Sequence, residues 1–159
     1  MSKTSAGLLI YRLKNNKIEV LLVHPGGPFW AMKDKGAWGI PKGEKDDGDN
    51  GDLLLTAIRE VYEETGIDFS NLEKERFVSL GSIVQKNGKI VYAWAIEAPA
   101  SIKILETDEI PIKSNNVKRG FIEFPEVDRA KFFDLETAKE KIYSPQAEFL
   151  DRLRDKISF

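Results

Sequence analysis

One amphipathic helix set between two pairs of β-rich runs is the feature that most restricts what this chain can fold into. The helix is predicted at residues 53–65, and the runs are residues 6–13, 18–24, 76–85 and 90–97. A short turn joins the two runs of each pair, and the Asn87-Gly88 dipeptide in the second turn is typical of a β-hairpin. Strands and helices do not alternate strictly along the chain. We therefore expect an α+β fold in which a mixed β-sheet packs between helices, rather than a doubly wound sheet.

The remaining elements are marked by capping and turn residues. Asp52 is a candidate N-cap of the central helix, and Gly66 stands where a left-handed residue commonly ends a helix. Four further elements are predicted: strands at 37–40 and 120–124, and helices that begin after Asp134 and at Ser144-Pro145. No repeat, low-complexity tract or linker divides the chain, so we expect one domain over residues 1–159.

The chain has no cysteine and a single histidine, His24. The absence of cysteine excludes a disulfide framework, a thiolate zinc site, an iron–sulfur cluster and a cysteine nucleophile. A single histidine excludes a metal site with two histidine ligands and leaves His24 as the one possible base of a serine triad. If the protein is an enzyme, carboxylates must supply most of its acids, bases and metal ligands.

Charge and hydropathy argue against nucleic acid polymers and membranes as partners. The 24 basic and 26 acidic residues give a net charge of −2, so no overall field attracts nucleic acid or an anionic membrane surface. No apolar run approaches the roughly 20 residues that span a bilayer, and Arg12 interrupts the short apolar start. We expect a cytoplasmic protein whose oligomeric state the sequence does not indicate.

Three glutamates form a stripe on the predicted helix. At about 100° per residue, Glu60, Glu63 and Glu64 fall within an arc of roughly 100°. We expect burial of the opposite side, which carries Leu54, Leu55, Ile58, Val61 and Tyr62. Like charges at these spacings cost roughly a few tenths of a kcal/mol per pair, and the helix dipole disfavours anions near its C-terminal end. Charge alone leaves two interpretations open, a solvated surface and a site for a hard cation such as Mg²⁺ or Mn²⁺.

The loop before the helix favours the cation site. Residues 43–52 are rich in glycine and aspartate and lead directly into the helix. Because a glycine lets the backbone approach a ligand closely, Gly43 can offer its carbonyl oxygen to the same ion.

The stretch from Gly43 to Ile67 resembles the Nudix box, whose pattern is Gly-x5-Glu-x7-Arg-Glu-U-x-Glu-Glu-x-Gly-U, with U a bulky aliphatic residue. Residues 59–67, Arg-Glu-Val-Tyr-Glu-Glu-Thr-Gly-Ile, match the second half at every specified position. In the first half Asp49 replaces the glutamate, and nine residues rather than seven separate it from Arg59. A two-residue insertion in a glycine-rich loop costs little, and it leaves Asp49 and Asp52 as alternative partners of Arg59.

Residues 23–30, 36–44 and 124–130 resemble a bacterial branch of the Nudix family described only as predicted nucleotide pyrophosphohydrolases. The resemblance implies the Nudix fold, an α/β/α sandwich around a mixed sheet. It also implies hydrolysis of a diphosphate linkage in a nucleoside triphosphate or another nucleoside diphosphate derivative. The implied cofactor is Mg²⁺ or Mn²⁺, since a divalent ion neutralises phosphoryl oxygens and lowers the pKa of the attacking water.

The resemblance further assigns roles to residues of the box. The implied metal ligands are the carbonyl of Gly43 and the carboxylates of Glu60, Glu63 and Glu64. Arg59 would orient these carboxylates through a salt bridge rather than touch the substrate. Nudix enzymes differ in their general base, so Glu60, Glu63 and, from a downstream loop, Glu126 are all candidates here.

Basic and aromatic side chains are candidates for substrate contacts. Lys33 and Lys42 can bind phosphate, and Trp38 and Trp94 can stack on a base. Further candidates of the same two kinds are Arg12, Lys35, Trp30 and Tyr92. Each has an ordinary alternative, because loop lysines commonly serve only solubility and strand aromatics commonly pack in a core.

Two questions of function stay open in the sequence. A non-catalytic Nudix-like module would bind a nucleotide and regulate a partner, but such modules usually lose carboxylates of the box, and all three are intact here. Among enzymes, nucleoside triphosphates, dinucleoside polyphosphates and nucleotide sugars all remain candidate substrates. Residues 81–85 contain neither a proline, which we would expect for ADP-ribose, nor a tyrosine, which we would expect for dinucleoside polyphosphates.

We predict that Glu64→Gln abolishes metal-dependent hydrolysis with little loss of folding, because the amide keeps the size of the side chain and loses the charge that binds the ion. Phosphate release in the presence of Mg²⁺ measures the first effect, and thermal unfolding measures the second. Undiminished turnover by the variant would contradict the assignment of Glu64.

Overall fold

A mixed seven-stranded β-sheet forms the centre of the computed structural model, which describes residues 3–103 and 105–157. The strands are β1 (Thr4–Lys14), β2 (Lys17–Pro25), β3 (Lys42–Glu44), β4 (Val78–Val84), β5 (Ile90–Glu97), β6 (Glu109–Ile110), β7 (Asn116–Arg119), β8 (Ile122–Pro125) and β9 (Val127–Asp134). The helices are α1 (Leu53–Thr65), α2 (Ala100–Lys103), α3 (Leu135–Lys141) and α4 (Ala147–Lys156). The sheet runs in the order β4-β5-β1-β2-β9-β6, with β3 also paired to β1, while β7 and β8 form a separate two-stranded ribbon.

Strand β1 organises the sheet because three other strands pair with it. It runs parallel to β5 along residues 4–11, and its other edge is divided between two antiparallel partners. Residues 10–14 pair with β2, whereas residues 5–7 pair with β3 and set Gly43 opposite Ala6. The central part of β1 is buried on both faces, which agrees with its nearly continuous apolar run. The divided edge thereby brings the start of the acidic loop beside the middle of the sheet.

Helices cover both faces of this sheet. Ala57 and Val61 of α1 pack against Leu8 of β1 on one face, and all three residues are fully buried. Helices α3 and α4 cover the other face, where Phe149 and Leu153 of α4 are equally buried. The expected α+β fold, an α/β/α sandwich with a mixed sheet between helices, is confirmed.

The predicted helix caps are present. The Asp52 carboxylate accepts hydrogen bonds from the backbone N–H groups of Leu54 and Leu55, and Gly66 ends α1 in the left-handed conformation at φ 80°. Asp134 caps α3 by accepting from the N–H of Thr137. These side chains satisfy N–H groups that have no partner inside the helix.

Two predicted strands differ from the structure, and strands β3, β6, β7 and β9 were not predicted. The sequence did not indicate strand β9. Asp128 and Arg129 are adjacent and both exposed, so they break the alternation of buried and exposed residues by which a strand is recognised. The strand expected at 120–124 is one arm of the β7–β8 ribbon and begins at Ile122, after a turn at Gly120. The strand expected at 37–40 is wrong, because this segment forms single bridges to Val23 and Ile142 and Pro41 has no N–H to extend them.

Among the described residues there is no helix whose length and apolar character would allow it to cross a bilayer.

Candidate active site

Gly43 and Glu60 meet where β3 lies against α1. A Cβ atom built on Gly43 would stand 2.0 Å from Oε2 of Glu60, a distance no side chain could accept. The glycine therefore allows the Glu60 carboxylate to lie directly on the backbone of β3. This contact brings the first residue of the acidic loop (residues 43–52) against the first glutamate of the stripe on α1.

Glu64 lies one helical turn further along the same side of α1. Its Oε1 accepts a hydrogen bond from the backbone N–H of Lys42 at 3.2 Å. The side chain is buried, and burial raises the pKa of Glu64 well above its ordinary value, with repulsion from Glu126 as the next cause. Burial likewise raises the pKa of Glu60, against the hydrogen bond from Arg59 that lowers it.

The predicted separation of an acidic and an apolar face on α1 is wrong in part. Glu60 and Glu64 are only 9% and 6% exposed, whereas Leu55 and Tyr62 are 42% and 55% exposed. Helix α1 packs against both β1 and β3. Where it meets β3, it lies on the backbone around Gly43, which has no side chain. The acidic stripe therefore borders the buried face instead of opposing it.

Arg59 connects the acidic loop to the carboxylates of the helix. Its Nε and Nη2 donate to the two carboxylate oxygens of Asp49, both at 3.0 Å, in a paired geometry. Its Nη1 donates to Glu60 at 2.8 Å and to Glu63 at 3.2 Å, and its Nη2 also donates to the carbonyl of Glu44. One guanidinium group thus forms hydrogen bonds to three carboxylates and to the loop backbone, and the orienting role of Arg59 stays a prediction.

The structure resolves the choice between Asp49 and Asp52 in favour of Asp49. Asp49 is 4% exposed and also accepts a hydrogen bond from the hydroxyl of Thr56 at 2.7 Å. The hydrogen bonds from Arg59 hold the pKa of Asp49 well below its ordinary value. Asp52 is committed to capping α1. The two-residue insertion is accommodated by a short 3₁₀ turn at Asp47–Asp49 and a left-handed residue, Asn50, after it.

Glu126 lies at the single-residue bend between β8 and β9, far from the box in sequence and near it in space. With the Asn115 amide in the orientation that matches donors to acceptors, its side-chain nitrogen donates to Glu126 Oε1 at 3.0 Å and to the carbonyl of Glu63 at 2.8 Å. The backbone repeats the link, because Asn115 N–H donates to Glu63 O and Glu126 N–H donates to Asn115 O. Asn115 therefore ties the outlying carboxylate to the C-terminal half of α1.

A cavity of about 430 Å³ opens beside these carboxylates. Lys42, Glu64 and Glu126 line it together with Trp30 and Tyr143. The volume lies in the range of small-molecule sites, which combine apolar walls with a few polar groups. The cavity therefore has room for part of a nucleotide next to the candidate catalytic groups.

Two buried glutamines in the wall of this cavity were missed by the sequence analysis. Gln146 accepts a hydrogen bond from the N–H of Ile40 at 2.9 Å, and its side-chain nitrogen donates to Gln85 at 3.1 Å. Both glutamines line the cavity and are less than 9% exposed. No local pattern marks them, because Gln85 directly follows β4, Gln146 directly precedes α4, and only the fold brings the two together.

Of the four predicted substrate-contacting residues, two line the main cavity and two lie elsewhere. Lys42 lines the main cavity beside Glu64. Trp38 borders it, but its ring is 1% exposed and its Nε1 donates to Asp34. Lys33 lies against the rings of Phe29 and Trp30 instead. Trp94 packs with the cluster beneath α1 and is not part of the cavity wall.

His24 has two partners that the sequence did not reveal. Its ring nitrogens lie 2.9 Å from a carboxylate oxygen of Asp128 and 2.7 Å from the carbonyl of Lys33. Its ring also packs edge-on against Trp38. His24 therefore fastens the long loop after β2 to β9, away from the carboxylates of the box.

The donor set fits a hard divalent cation in its chemistry. Glu60 and Glu64 are buried carboxylates that repel Glu126, and a cation between them would relieve that repulsion. In residues 3–103 and 105–157 no group of three or more His, Asp or Glu side chains is already arranged to hold an ion. Arg59 occupies Glu60 and Glu63 instead, so cation binding requires one of them to give up part of this contact.

A comparison with known protein families agrees with the geometry. The model of the NUDIX domain matches residues 1–153. This chain belongs to the NUDIX family. Members of this family generally use divalent metal ions.

Individual NUDIX relatives are similar over much of the chain. The rat (Rattus norvegicus) asymmetrical bis(5'-nucleosyl)-tetraphosphatase is 36% identical in an alignment 105 residues long, and the alignment covers 61% of this chain and 66% of the rat protein, just under two thirds of its length. A crystal structure of a C. elegans Ap4A hydrolase binary complex has a TM-score of 0.63 and 24% identity, covering 96% of both chains. A NUDIX hydrolase from Alicyclobacillus acidocaldarius has a TM-score of 0.66 and 15% identity, covering 95% of this chain and 90% of that one.

The pairing of Asp49 with Arg59 predicts a pH-dependent stability difference. Because the folded-state pKa of Asp49 lies below its ordinary value of 3.8, the ion pair stabilises the fold above about pH 4 and loses this effect as the pH falls. We expect Asp49→Asn to lower the free energy of unfolding by about 1–3 kcal/mol at pH 7. The difference from the parent protein should shrink in acid, as measured by urea denaturation at several pH values.

Asp47→Asn is the matched control, because Asp47 lies exposed in the same turn. It should change the free energy of unfolding by less than about 0.5 kcal/mol. A difference between Asp49→Asn and the parent that grows on acidification would contradict the proposed role of the pair.

Proposed function

We propose that this protein is a metal-dependent pyrophosphohydrolase. It cleaves a diphosphate linkage in a nucleoside triphosphate or another nucleoside diphosphate derivative by attack of water. The observation that carries the proposal is the junction of buried carboxylates on α1, the backbone of Gly43 and a nucleotide-sized cavity. The similarity to the rat bis(5'-nucleosyl)-tetraphosphatase supports including dinucleoside polyphosphates among the candidate substrates.

The metal site we propose consists of the Gly43 carbonyl and the carboxylates of Glu60, Glu63 and Glu64. A bound Mg²⁺ or Mn²⁺ supplies neutralisation of the phosphoryl oxygens and a lowered pKa for the attacking water. Arg59 keeps Glu60 and Glu63 close together before binding, and one of them gives up part of its contact with Arg59 when the ion binds.

Glu126 is our proposed general base. Its carboxylate lines the cavity and accepts a hydrogen bond from Asn115, so its position relative to α1 is fixed. Among the described residues, Glu60 and Glu63 form salt bridges to Arg59, whereas Glu126 forms none and has Lys42 as a more distant positive neighbour. A carboxylate outside a direct salt bridge keeps an oxygen available to accept a hydrogen bond from the attacking water.

Lys42 is our proposed phosphate-binding residue in the wall of the same cavity. Burial and the nearby Lys89 lower the pKa of Lys42, while Glu64 and Glu126 favour its charged form. An incoming polyphosphate would add negative charge at the same place and hold the ammonium group protonated. Trp30 and Tyr143, on the wall of the cavity, are better placed to contact a base than the buried ring of Trp38.

A panel of nucleotides tests the proposed activity. We expect phosphate or nucleotide products from at least one class among nucleoside triphosphates, dinucleoside polyphosphates and nucleotide sugars, measured by liquid chromatography with Mg²⁺ or Mn²⁺. Chelation by EDTA should abolish the reaction, and added metal should restore it. Intact substrate throughout the panel would favour a non-catalytic nucleotide-binding module instead.

The role of Glu126 predicts a loss of rate without a loss of binding. We expect Glu126→Gln to lower kcat by about 10²- to 10⁴-fold with KM nearly unchanged, because the amide cannot accept the proton. Glu123→Gln, in the exposed part of β8, should retain the parent kcat. Equal rates for the two variants would exclude Glu126 as the base and leave Glu60 and Glu63.

A further inference from the structure

A second cavity, of about 460 Å³, lies on the other side of Glu126. It opens between the loop that follows β2 and the ribbon of β7 and β8. Phe29 and Trp30 line it from the loop, while Arg119, Ile122 and Phe124 line it from the ribbon. Its volume is close to that of the first cavity, and both are of a size that holds a small organic ligand.

The two cavities share a boundary. Pro25, Trp30 and Glu126 line both of them, so a ligand that enters one cavity reaches the edge of the other. Glu126, the proposed base, is thus flanked on either side by space for a ligand. A substrate with one bulky group at each end of a polyphosphate would set its phosphate chain at this boundary.

The walls of the second cavity are held in fixed positions. A Cβ atom on Gly27, whose φ is +94°, would lie 2.7 Å from the ring of Phe124, so loop and ribbon are in direct contact. A Cβ atom on Gly26 would lie 2.0 Å from the carbonyl oxygen of Pro125, and the Gly26 N–H donates to Glu126 O at 2.9 Å. The cavity is therefore built onto the same backbone that carries the Glu126 carboxylate.

The chemistry of the walls suits a nucleoside. Phe29, Trp30 and Phe124 offer aromatic surface on which a base can stack. Phe29 and Ile122 are 68% and 52% exposed, so their apolar surface is available for burial by a ligand. Arg119 adds a positive charge that can pair with a phosphate group. Aromatic surface combined with a cation matches a base that is linked to phosphate.

We propose that the second cavity binds the second nucleoside of a dinucleoside polyphosphate. The first nucleoside occupies the cavity beside Lys42 and Glu64, and the phosphate chain passes Glu126. This inference rests on the proposed function and narrows its substrate class. A nucleoside triphosphate, which has one base, fills the first cavity alone and makes no contact with the ribbon.

The ribbon provides a matched pair of variants. Arg119→Ala/Ile122→Ala removes one cation and one apolar side chain that line the second cavity. Lys118→Ala/Phe121→Ala removes the same two kinds of side chain from the ribbon, at exposed positions outside the cavity wall. Arg119→Glu, a change at an exposed position, repeats the test if the first double variant unfolds at a lower temperature than the control.

Calorimetric titration with Ca²⁺ present measures the binding of two probes, a methylene-bridged diadenosine tetraphosphate and a methylene-bridged ATP. We expect Arg119→Ala/Ile122→Ala to weaken the binding of the dinucleotide about tenfold, and at least fivefold, because the variant loses one apolar contact and one positive charge. Its affinity for the ATP analogue should stay within twofold of the parent. The control variant should bind both probes within twofold of the parent.

Two results would overturn the inference. One is a change of less than fivefold in the affinity of the double variant for the dinucleotide, and the other is an equal loss for both probes. The hydrolysis panel is a separate measurement on the parent protein. Binding that follows the expected pattern without any hydrolysis would refute the proposed activity and retain the second nucleoside site. Hydrolysis by the parent protein, together with unchanged binding of the dinucleotide by the double variant, would retain the proposed activity and refute the second nucleoside site.

Discussion

The hydrogen bonds from Arg59 to three carboxylates are the interaction on which the candidate site depends. Without a cation, Glu60 and Glu63 would repel each other on a helix whose dipole already disfavours them. The same guanidinium group binds Asp49 through two parallel hydrogen bonds and so holds the acidic loop against α1. Loop and helix are thereby kept in one arrangement before any ligand arrives. Such preorganisation lowers the cost of binding an ion or a charged substrate.

The divided edge of β1 gives this arrangement its location. Because β2 pairs with one half of β1 and β3 with the other, the acidic loop begins in the middle of the sheet rather than at its border. The absence of a side chain at Gly43 then lets Glu60 reach the backbone. The carboxylates of Glu60 and Glu64 are consequently buried between α1 and β3, and this burial raises their pKa values.

Local signals explain how much was predictable from the sequence. Helix α1, its caps at Asp52 and Gly66, and the box residues are encoded within about 25 neighbouring positions, and the α+β architecture follows from the order of the elements. The burial of Glu64 was not predictable, because it depends on β3 crossing beside α1. Strand β9 and the Asn115 link were missed for a similar reason, since charged residues obscure the strand and the link joins distant segments. The substrate contacts of Lys33, Lys42, Trp38 and Trp94 stay predictions.

The bend that carries Glu126 lies between the main sheet and the ribbon of β7 and β8, and the two differ in how freely their side chains can be exchanged. Its backbone N–H is fixed by Asn115 and its carbonyl by Gly26, so the carboxylate is positioned by main-chain bonds rather than by the ribbon's side chains. Strands β7 and β8 lie outside the main sheet and end in an exposed turn. Exchange of side chains along this ribbon can therefore alter which molecules are accepted without displacing the reactive group. In evolutionary terms, ligand preference and chemistry can diverge independently within a single scaffold.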